Sequence, residues 1–292
     1  MNSFSFPMRS LLFVPGNNSK FISKAFDSDS DVLVFDLEDS VQSKENKLEA
    51  RNLLRNKLKV VNGKKIFIRI NDIDSGEILD DLKELTLECV DGFMFPKVSN
   101  GSDVYFIDKL LYNFELNNNL ALGKFKIILI IESSSALVNL KEICSTSKRV
   151  VSLAFGSEDY LTDISGINDG NDSILFYARS LILNFARAHN LIPIDTVYLD
   201  VRDLLGLEKR LNTSKRLGFE GMLVLHPIQI PLVNIFYTPS IEEVKRAKKI
   251  IKLSKSINQL GKGVSIVEGE FVGPPMIKSA EKILDRIRLL IK

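Results

Sequence analysis

The chain alternates between short apolar runs and longer amphipathic stretches. Eight apolar runs recur, and each is followed by a stretch whose apolar residues have helical spacing. The runs are rich in Val, Ile, Leu and Phe without polar alternation, which is typical of strands buried on both faces of a parallel sheet. They occupy residues 10–16, 31–40, 65–71, 92–97, 126–133, 149–159, 192–199 and 221–227.

Eight strand–helix units predict an α/β fold, a (β/α)8 TIM barrel spanning residues 1–237. A doubly wound open sheet is the alternative, but the count of eight and the polar residues at nearly every strand exit favour the barrel. Residues 238–292 form a predicted C-terminal extension of a helix, a Gly-rich hairpin and a last helix. We expect this extension to pack on the barrel mouth or on a neighbouring subunit.

Composition narrows the class of protein. The 292 residues are 45% hydrophobic and 26% charged, as in ordinary globular enzymes. A net charge of +2 gives no reason to expect nucleic acid or an anionic membrane as partner. No apolar run approaches the ~20 residues that span a bilayer, and the N-terminus does not resemble a signal peptide. Cys89 and Cys144 lack metal-ligand spacing, so we expect a reduced, cytoplasmic protein.

Barrel enzymes build their sites at the C-terminal ends of the strands, where this chain places several carboxylates. Glu132 ends the fifth run, and Glu158 and Asp159 end the sixth. Oxygen ligands without clustered His or Cys indicate a hard cation. Glu132 and Asp159 are therefore the predicted ligands of Mg2+, with Mn2+ as the alternative ion and no organic cofactor. The competing interpretation is that such acids cap the next helix or are solvated.

Arg69 lies within an otherwise apolar strand and needs anionic partners there. Its planar fork suits a substrate carboxylate, although a structural salt bridge to the acids of the second exit, Asp36, Glu38 or Asp39, would also satisfy it. Arg69, Glu38 and Asp39 are the candidate catalytic residues. They could shuttle a proton, orient Arg69 or support the metal ligands.

The fourth exit carries Pro96 and Lys97, which are candidate contacts to a substrate phosphate or carboxylate. A Schiff-base role for Lys97 is the less favoured alternative, because a metal would already serve as electron sink. With only His189 and His226 in the chain, a Ser-His-Asp triad is poorly supported. We expect His189 on the surface of a helix, and His226 either beside the site or in a structural role.

Taken together, ten stretches resemble the citrate lyase β-subunit-like branch of the HpcH/HpaI aldolase family. They are RSLLFVPGN (9–17), VFDLEDSV (34–41), IRIN (68–71), FPKV (95–98), IES (131–133), AFGSEDY (154–160), YARS (177–180), VRDLLGL (201–207), GFEGMLVLHPIQI (218–230) and YTPS (237–240). Each is weak alone, but they occur in family order across nearly the whole chain. Within AFGSEDY, Gly156 and Ser157 are further candidate substrate-binding residues.

The resemblance implies a homotrimeric barrel with Mg2+ at Glu132 and Asp159 and with Arg69 gripping a substrate carboxylate. Its members cleave or form C–C bonds in citryl, malyl or similar thioesters of CoA or an acyl carrier protein, and some hydrolyse the thioester. The predicted function is thus a Mg2+-dependent C–C lyase on a hydroxy or oxo acid. The alternatives are a metal aldolase on free pyruvate-like substrates, or a non-catalytic acyl-binding homologue within a complex.

One segment departs from the family pattern. The family's tail usually reads like DGKMIDxP, and its second aspartate reaches a neighbour's active site in thioester-processing members. Here the segment is EGEFVGPP, with Glu268 at the first acid and Gly273 in place of the second. Glu268 or Glu270 is the candidate substitute, so thioester hydrolysis and the proton-donating residue are the open points of the prediction.

Overall fold

The computed structural model describes residues 6–59, 63–167, 173–259, 265–267 and 270–291. Its eight parallel strands follow one another around a closed barrel, and pairing of Leu11 in the first strand with Leu223 in the last completes the ring. The predicted barrel is confirmed, and the open sheet is excluded. The strands are β1 (Ser10–Pro15), β2 (Val32–Asp36), β3 (Lys65–Arg69), β4 (Gly92–Phe95), β5 (Lys126–Ile131), β6 (Val150–Phe155), β7 (Ile192–Asp195) and β8 (Gly221–Val224).

Helices connect the strands and surround the barrel, with 3₁₀ turns at Ile73–Ser75 and Pro227–Gln229. Short polar residues start several of them by accepting backbone N–H groups that the first helical turn leaves unpaired. The helices are α1 (Ser19–Ala25), α2 (Lys44–Leu58), α3 (Ile78–Leu85), α4 (Gly101–Asn117), α5 (Ser134–Val138), α6 (Leu140–Ser145), α7 (Ser157–Asp163), α8 (Ser173–Ala188), α9 (Leu204–Leu217) and α10 (Ile230–Tyr237).

The strands are short and mostly buried. Every residue of β2, β4, β6 and β8 is buried, as continuous apolar runs require. Each of the eight predicted runs contains one strand, but the strand stops before the polar residues that end the run. Those polar residues lie in the loops and helix starts at the barrel mouth, where a site can form.

A buried ion pair closes the base of the barrel beside β5 and β6. Glu115 of α4 is completely buried, and its two carboxylate oxygens accept hydrogen bonds of 2.6 and 2.7 Å from the two Nη atoms of Arg149. The backbone N–H groups of Gly123 and Phe125 donate to the same carboxylate at 2.8 and 3.0 Å. This network fixes the entry into β5 and β6 without leaving a charge unpaired.

The chain divides into two compact units, which consist mainly of residues Met8–Asn234 and Ile235–Lys292. The second unit contains α11 (Ile241–Gln259), α12 (Pro274–Ile291) and an antiparallel pair, β9 (Ser265–Val267) with β10 (Glu270–Val272). Its helices pack through a small core of Ala247, Ile250, Val272 and Ala280. That it covers the barrel mouth or a neighbouring subunit stays a prediction. Among the helices of the described residues, none is long and apolar enough to cross a membrane.

Candidate active site

A cavity of about 380 Å³ opens among the C-terminal ends of the strands. Acidic side chains occupy the β2 and β5–β6 sides of its wall, and apolar side chains line much of the remainder. The lining residues are Phe13, Pro15, Asp36, Asp39, Ser40, Arg69, Ile130, Glu132, Phe155, Gly156, Ser157, Glu158, Asp159, Thr196, Val197, Leu223 and Leu225. Of the predicted site residues, Arg69, Asp39, Glu132, Asp159, Gly156 and Ser157 therefore share one cavity.

Glu132 follows the last residue of β5 and is 5% exposed. Its Oε1 accepts a 2.6 Å hydrogen bond from the backbone N–H of Lys97, and no described residue donates to its Oε2. Burial raises the pKa of Glu132 to about 8, with the negative charges of Asp159 and Glu38 adding to the shift. A bound cation would offset this burial and stabilise the charged form of the carboxylate.

Gly156 leaves the space that this carboxylate fills. A Cβ at position 156 would lie 2.6 Å from Oε2 of Glu132 and 2.7 Å from its Cβ. Both distances are shorter than a van der Waals contact, so any larger residue would displace the Glu132 side chain. Gly156 thus shapes the carboxylate site itself.

Asp159 reaches the cavity from a helix rather than from a strand end. Strand β6 stops at Phe155, and α7 begins at Ser157, so Glu158 and Asp159 lie in the first turn of that helix. The interpretation of residues 149–159 as one apolar run therefore overextended the strand. Because β5 and β6 are neighbours, Glu132 and the exposed Asp159 still face the same cavity.

Three carboxylates hold Arg69. Its Nε and Nη2 bind the two oxygens of Asp36 at 2.6 and 2.8 Å. Its Nη1 lies 2.9 Å from Asp39 and 3.1 Å from Glu38. The guanidinium also stacks 4.7 Å from the ring centroid of Phe13. The predicted salt-bridge partners are thus all present, and the cation still lines the cavity.

The partners of Arg69 differ in how firmly they are held. Burial would raise the pKa of Asp36, but the hydrogen bonds and charge of Arg69 outweigh it and hold that pKa below its usual range. The Asp36 side chain is 5% exposed, whereas that of Asp39 is 63% exposed. An incoming carboxylate could therefore replace Asp39 at Nη1 while Asp36 keeps the guanidinium oriented.

Glu38 and Lys97 form a second layer beside the cavity and do not line it. The Lys97 amine donates to Oε1 of Glu38 at 2.8 Å and also lies 3.7 Å from Asp72. The hydrogen bond to Glu38 raises the pKa of Lys97, while burial raises the pKa of Glu38 in spite of Lys97 and Arg69. Pro96 does not line the cavity either. Lys97 contacts a predicted site residue through its backbone N–H, which donates a hydrogen bond to Glu132.

The seventh strand exit contributes a residue that the sequence did not single out. Asp195 ends β7, but it is completely buried and binds Arg179, which is 1% exposed. The next residue, Thr196, lines the cavity, with its Oγ1 2.7 Å from Oγ of Ser157. Its position directly after an apolar strand was the available signal.

Neither histidine joins the cavity lining. His226 begins the Pro227–Gln229 turn, where its Nδ1 accepts a 3.2 Å hydrogen bond from the backbone N–H of Ile228. His189 follows the end of α8 and is half-buried. Within the described ranges, no group of three or more His, Cys, Asp or Glu residues is arranged to hold a metal. Glu132 and Asp159 are two carboxylates, which is the number that Mg2+ commonly takes from a protein.

Comparison with known proteins gives a consistent family. A model described as HpcH/HpaI aldolase/citrate lyase matches residues 9–227. The citrate lyase subunit beta of Haemophilus influenzae is 33% identical over 282 residues, which cover 96% of this chain and 97% of that protein. The mitochondrial citramalyl-CoA lyase of Homo sapiens is 32% identical over 288 residues, which cover 94% of this chain and 84% of that protein.

A solved structure has the same fold. The protein CitE of Mycobacterium tuberculosis, in complex with magnesium, acetoacetate and coenzyme A, superimposes with a TM-score of 0.77 at 27% identity. The match covers 97% of this chain and 98% of that one. Both the barrel and its C-terminal region therefore have counterparts in a protein that binds these three ligands.

Proposed function

Since this chain belongs to the HpcH/HpaI aldolase/citrate lyase family, we propose that it is a Mg2+-dependent lyase that cleaves a C–C bond in a hydroxyacyl thioester. The observation that carries the proposal is the buried, under-bonded carboxylate of Glu132, which faces the same cavity as Asp159 and Arg69. The relatives named citrate lyase subunit beta and citramalyl-CoA lyase support the reaction class.

The residues present fit a divalent metal. Among the described residues, five carboxylates line the cavity, those of Asp36, Asp39, Glu132, Glu158 and Asp159, and Arg69 is the one cation. Asp36 is satisfied by Arg69, but Oε2 of Glu132 has no described partner. Mg2+ prefers hard oxygen ligands such as these carboxylates, so Glu132 and Asp159 would hold the ion. Mn2+ is the alternative ion, and we propose no organic cofactor.

Bound there, the metal would supply a Lewis acid that polarises the oxygen of the reacting carbon. Arg69 would bind the substrate carboxylate through Nη1 after Asp39 swings away, while Asp36 keeps the guanidinium plane fixed. The backbone N–H of Lys97 orients Glu132, and Gly156 and Ser157 border the space next to it. Positioning of this kind accounts for much of the rate enhancement in such sites.

The reaction needs two proton transfers. The substrate hydroxyl loses a proton and becomes a carbonyl, the C–C bond breaks, and the electron pair passes to the α-carbon of the acyl thioester, which then takes up a proton. Asp39 lines the cavity and can exchange protons with solvent, and Glu38 lies behind it with a raised pKa. We assign the shuttle to these two acids. Glu268 and the side chain of Glu270 lie outside the described part of the chain.

Lys97 serves this chemistry as a positioning group. A Schiff base requires a neutral amine, and the hydrogen bond to Glu38 raises the pKa of Lys97. The charged ammonium instead lowers the cost of keeping Glu38 ionised beside Arg69. This favours the metal-dependent mechanism over amine catalysis.

The relatives also support proposals for the acyl carrier of the substrate and for the oligomeric state of the chain. CitE of Mycobacterium tuberculosis binds coenzyme A, which supports a CoA thioester over an acyl carrier protein. The resemblance to the family supports a homotrimer, and the free cysteines Cys89 and Cys144 are compatible with a cytoplasmic protein. Light scattering of the purified chain measures its oligomeric state, and we expect the mass of three chains.

The function is tested by incubating the purified chain with citryl-CoA, malyl-CoA and citramalyl-CoA, with and without Mg2+, and measuring the oxo acid released. We expect metal-dependent release, and a loss of at least about 100-fold in kcat/KM for Glu132→Ala and Asp159→Ala. Glu49→Ala, on the exposed face of α2, is the control and should match wild type. Turnover of free pyruvate with aldehydes alone would favour an aldolase, and no turnover at all a non-catalytic acyl-binding protein.

A further inference from the structure

Helix α7 carries Asp159 and begins differently from several other helices at the barrel mouth. Helices α1, α4 and α5 begin after Asn18, Asn100 and Ser133, whose side chains accept backbone N–H groups of the first helical turn. Gly156 holds the same position before α7 and has no side chain that could accept them. The first turn of α7 therefore needs an acceptor from another part of the chain.

The position of Glu132 explains why a glycine precedes α7. A Cβ at position 156 would meet Oε2 and Cβ of Glu132 at 2.6 and 2.7 Å. Any of the usual capping residues at this position would therefore displace the carboxylate that is proposed to bind the metal. The ordinary N-cap is incompatible with Glu132 in its present place.

Thr196 supplies the missing acceptor from the neighbouring strand exit. Its Oγ1 accepts a 3.3 Å hydrogen bond from the backbone N–H of Ser157, the first residue of α7. The side-chain hydroxyls of the two residues are 2.7 Å apart and share a second hydrogen bond. Because Thr196 and Ser157 are buried, removal of the Thr196 hydroxyl would leave a buried N–H without this acceptor.

Thr196 is in turn held by a buried ion pair. Asp195 is completely buried, and its Oδ1 accepts the backbone N–H of Thr196 at 3.0 Å and Nε of Arg179 at 3.1 Å. Arg179 also binds Oδ2 of the same carboxylate. The pair therefore fixes the backbone at the end of β7, although neither of its members lines the cavity.

The start of α7 is tied to the strands on both sides of β6. On one side, the backbone N–H of Gly156 donates to the carbonyl of Ile131, the last residue of β5, at 3.0 Å. On the other side, Ser157 is bound to Thr196, which directly follows β7. Two consecutive residues held from opposite sides fix the direction in which α7 leaves the barrel, and with it the place of Asp159.

We propose that Thr196 is a positioning residue that replaces the N-cap of α7 and thereby orients Asp159 for the metal. This inference rests on the proposed function, because Thr196 acts on the metal site through Ser157 and the helix. A hydroxyl is required at this position, since it accepts from the backbone N–H and bonds to the Ser157 hydroxyl at the same time.

The test is a calorimetric titration of Mg2+ into the purified full chain without substrate. Thr196→Val keeps the shape of the side chain and removes its hydroxyl, so we expect the dissociation constant for Mg2+ to rise about 10- to 100-fold. Thr196→Ser keeps the hydroxyl and should remain within about threefold of wild type. Thr162→Val is the matched control, because it removes an exposed hydroxyl from the same helix, and it should leave the dissociation constant unchanged.

The rate of thioester cleavage provides a readout that a purely structural role would not move. In Thr196→Val, the Mg2+ concentration that gives half-maximal rate should rise with the dissociation constant, and saturating Mg2+ should restore most of kcat. Thermal melting of the metal-free variants checks that they fold. Thr196→Ala removes the same hydroxyl and takes the place of Thr196→Val if that variant does not fold.

The outcomes separate this inference from the function beneath it. A wild-type Mg2+ affinity in Thr196→Val, or an equal loss of affinity in Thr196→Ser or Thr162→Val, would overturn the role of Thr196 and leave the lyase function standing. A wild-type chain that binds no Mg2+ would overturn the proposed function and this inference with it. A loss of affinity confined to the variants without the Thr196 hydroxyl supports both.

Discussion

Two buried glutamates lie near opposite ends of strand β5 and are held in opposite ways. Glu115, at the base, accepts both Nη donors of Arg149 and two backbone N–H groups. Glu132, at the mouth, accepts a single backbone N–H, from Lys97. Their exposures are 0% and 5%, so burial does not distinguish them. The difference is in the partners that the chain supplies.

The two pKa values follow from those partners. Burial pushes both upward, but the hydrogen bonds and charge of Arg149 outweigh it and lower the pKa of Glu115. Nothing comparable offsets burial at Glu132, whose pKa rises to about 8. The chain thus supplies a full set of partners to Glu115 and few to Glu132, and a raised pKa of this kind is typical of carboxylates at functional sites.

The arginines repeat the contrast. Arg149 at the base binds Glu115 and Asp108, and the Glu115 carboxylate is filled by donors on both oxygens. Arg69 at the mouth is shared among three carboxylates, one of which is mostly exposed. The Arg149–Glu115 pair at the base is buried, whereas Arg69 and two of its partners line the cavity.

The largest change in the free energy of unfolding is expected when the Glu115–Arg149 ion pair at the base of the barrel is removed. Glu115→Ala leaves the guanidinium of Arg149 buried with Asp108 as its one carboxylate partner among the described residues, so we expect a loss of about 3 to 5 kcal/mol in the free energy of unfolding. Urea denaturation measures it, with Glu49→Ala as the exposed control that should change stability by less than about 0.5 kcal/mol. A loss as small as the control's would show that the base network is not structurally important.

Binding of Mg2+ at the barrel mouth should stabilise the folded protein. At a concentration 100 times its dissociation constant, the ion should raise the free energy of unfolding of the wild-type chain by about 2.7 kcal/mol. Glu132→Gln should lose most of this gain, because an amide cannot supply the ligand charge. Thermal or urea unfolding with and without Mg2+ measures both. Equal gains in wild type and variant would remove Glu132 from the metal site.

In the absence of metal, Glu132→Gln should stabilise the protein at pH 8, by about 1 to 3 kcal/mol. The folded-state pKa of about 8 lies above the ordinary value of 4.5. Protonated Glu132 therefore makes its full contribution to the free energy of unfolding below pH 4.5. That contribution is lost as the pH rises from 4.5 through 8. Wild-type unfolding energy should fall between pH 5 and 8, and the variant should show a smaller slope. Parallel slopes would contradict the raised pKa.

The smallest effect is expected at Lys97. Its side chain is 50% exposed, so Lys97→Met should change the free energy of unfolding by about 0 to 1 kcal/mol. Turnover should fall but persist, because the backbone N–H that holds Glu132 remains. Borohydride treatment of the wild-type chain during turnover should leave it active. Inactivation by borohydride, absent in Lys97→Met, would indicate a Schiff base.

The fold was predictable because hydrophobic spacing encodes it directly. Runs such as KIILII (126–131) have no polar face, which only a strand covered on both sides tolerates, and eight of them in alternation with helices indicate a barrel. The same spacing placed Arg69 on the face opposite Ile68 and Ile70, which are both completely buried. The family resemblance was confirmed by the match over residues 9–227.

The contacts within the site were harder to predict from the sequence, because the residues that form them come from different strands. Sequence indicated that Asp36, Glu38 and Asp39 could reach Arg69, but only geometry shows that Asp36 binds two of its nitrogens and that Asp39 is mostly exposed. Asp195 is an acid at a strand end, like Glu132, but only the structure shows that it is paired with Arg179. Thr196 was missed because a neutral residue after a strand carries no electrostatic signal.

The most direct test of the contrast between the two glutamates is proton release on Mg2+ binding. Calorimetric titration at pH 7 in buffers of different ionisation enthalpy counts the protons. With a pKa of about 8, Glu132 should release roughly 0.9 proton per chain when the ion binds, and Glu132→Gln should release almost none and bind far more weakly. Mg2+ binding of wild-type affinity in the variant, or binding to the wild type without proton release, would contradict the assignment of Glu132 as a protonated carboxyl that becomes a metal ligand.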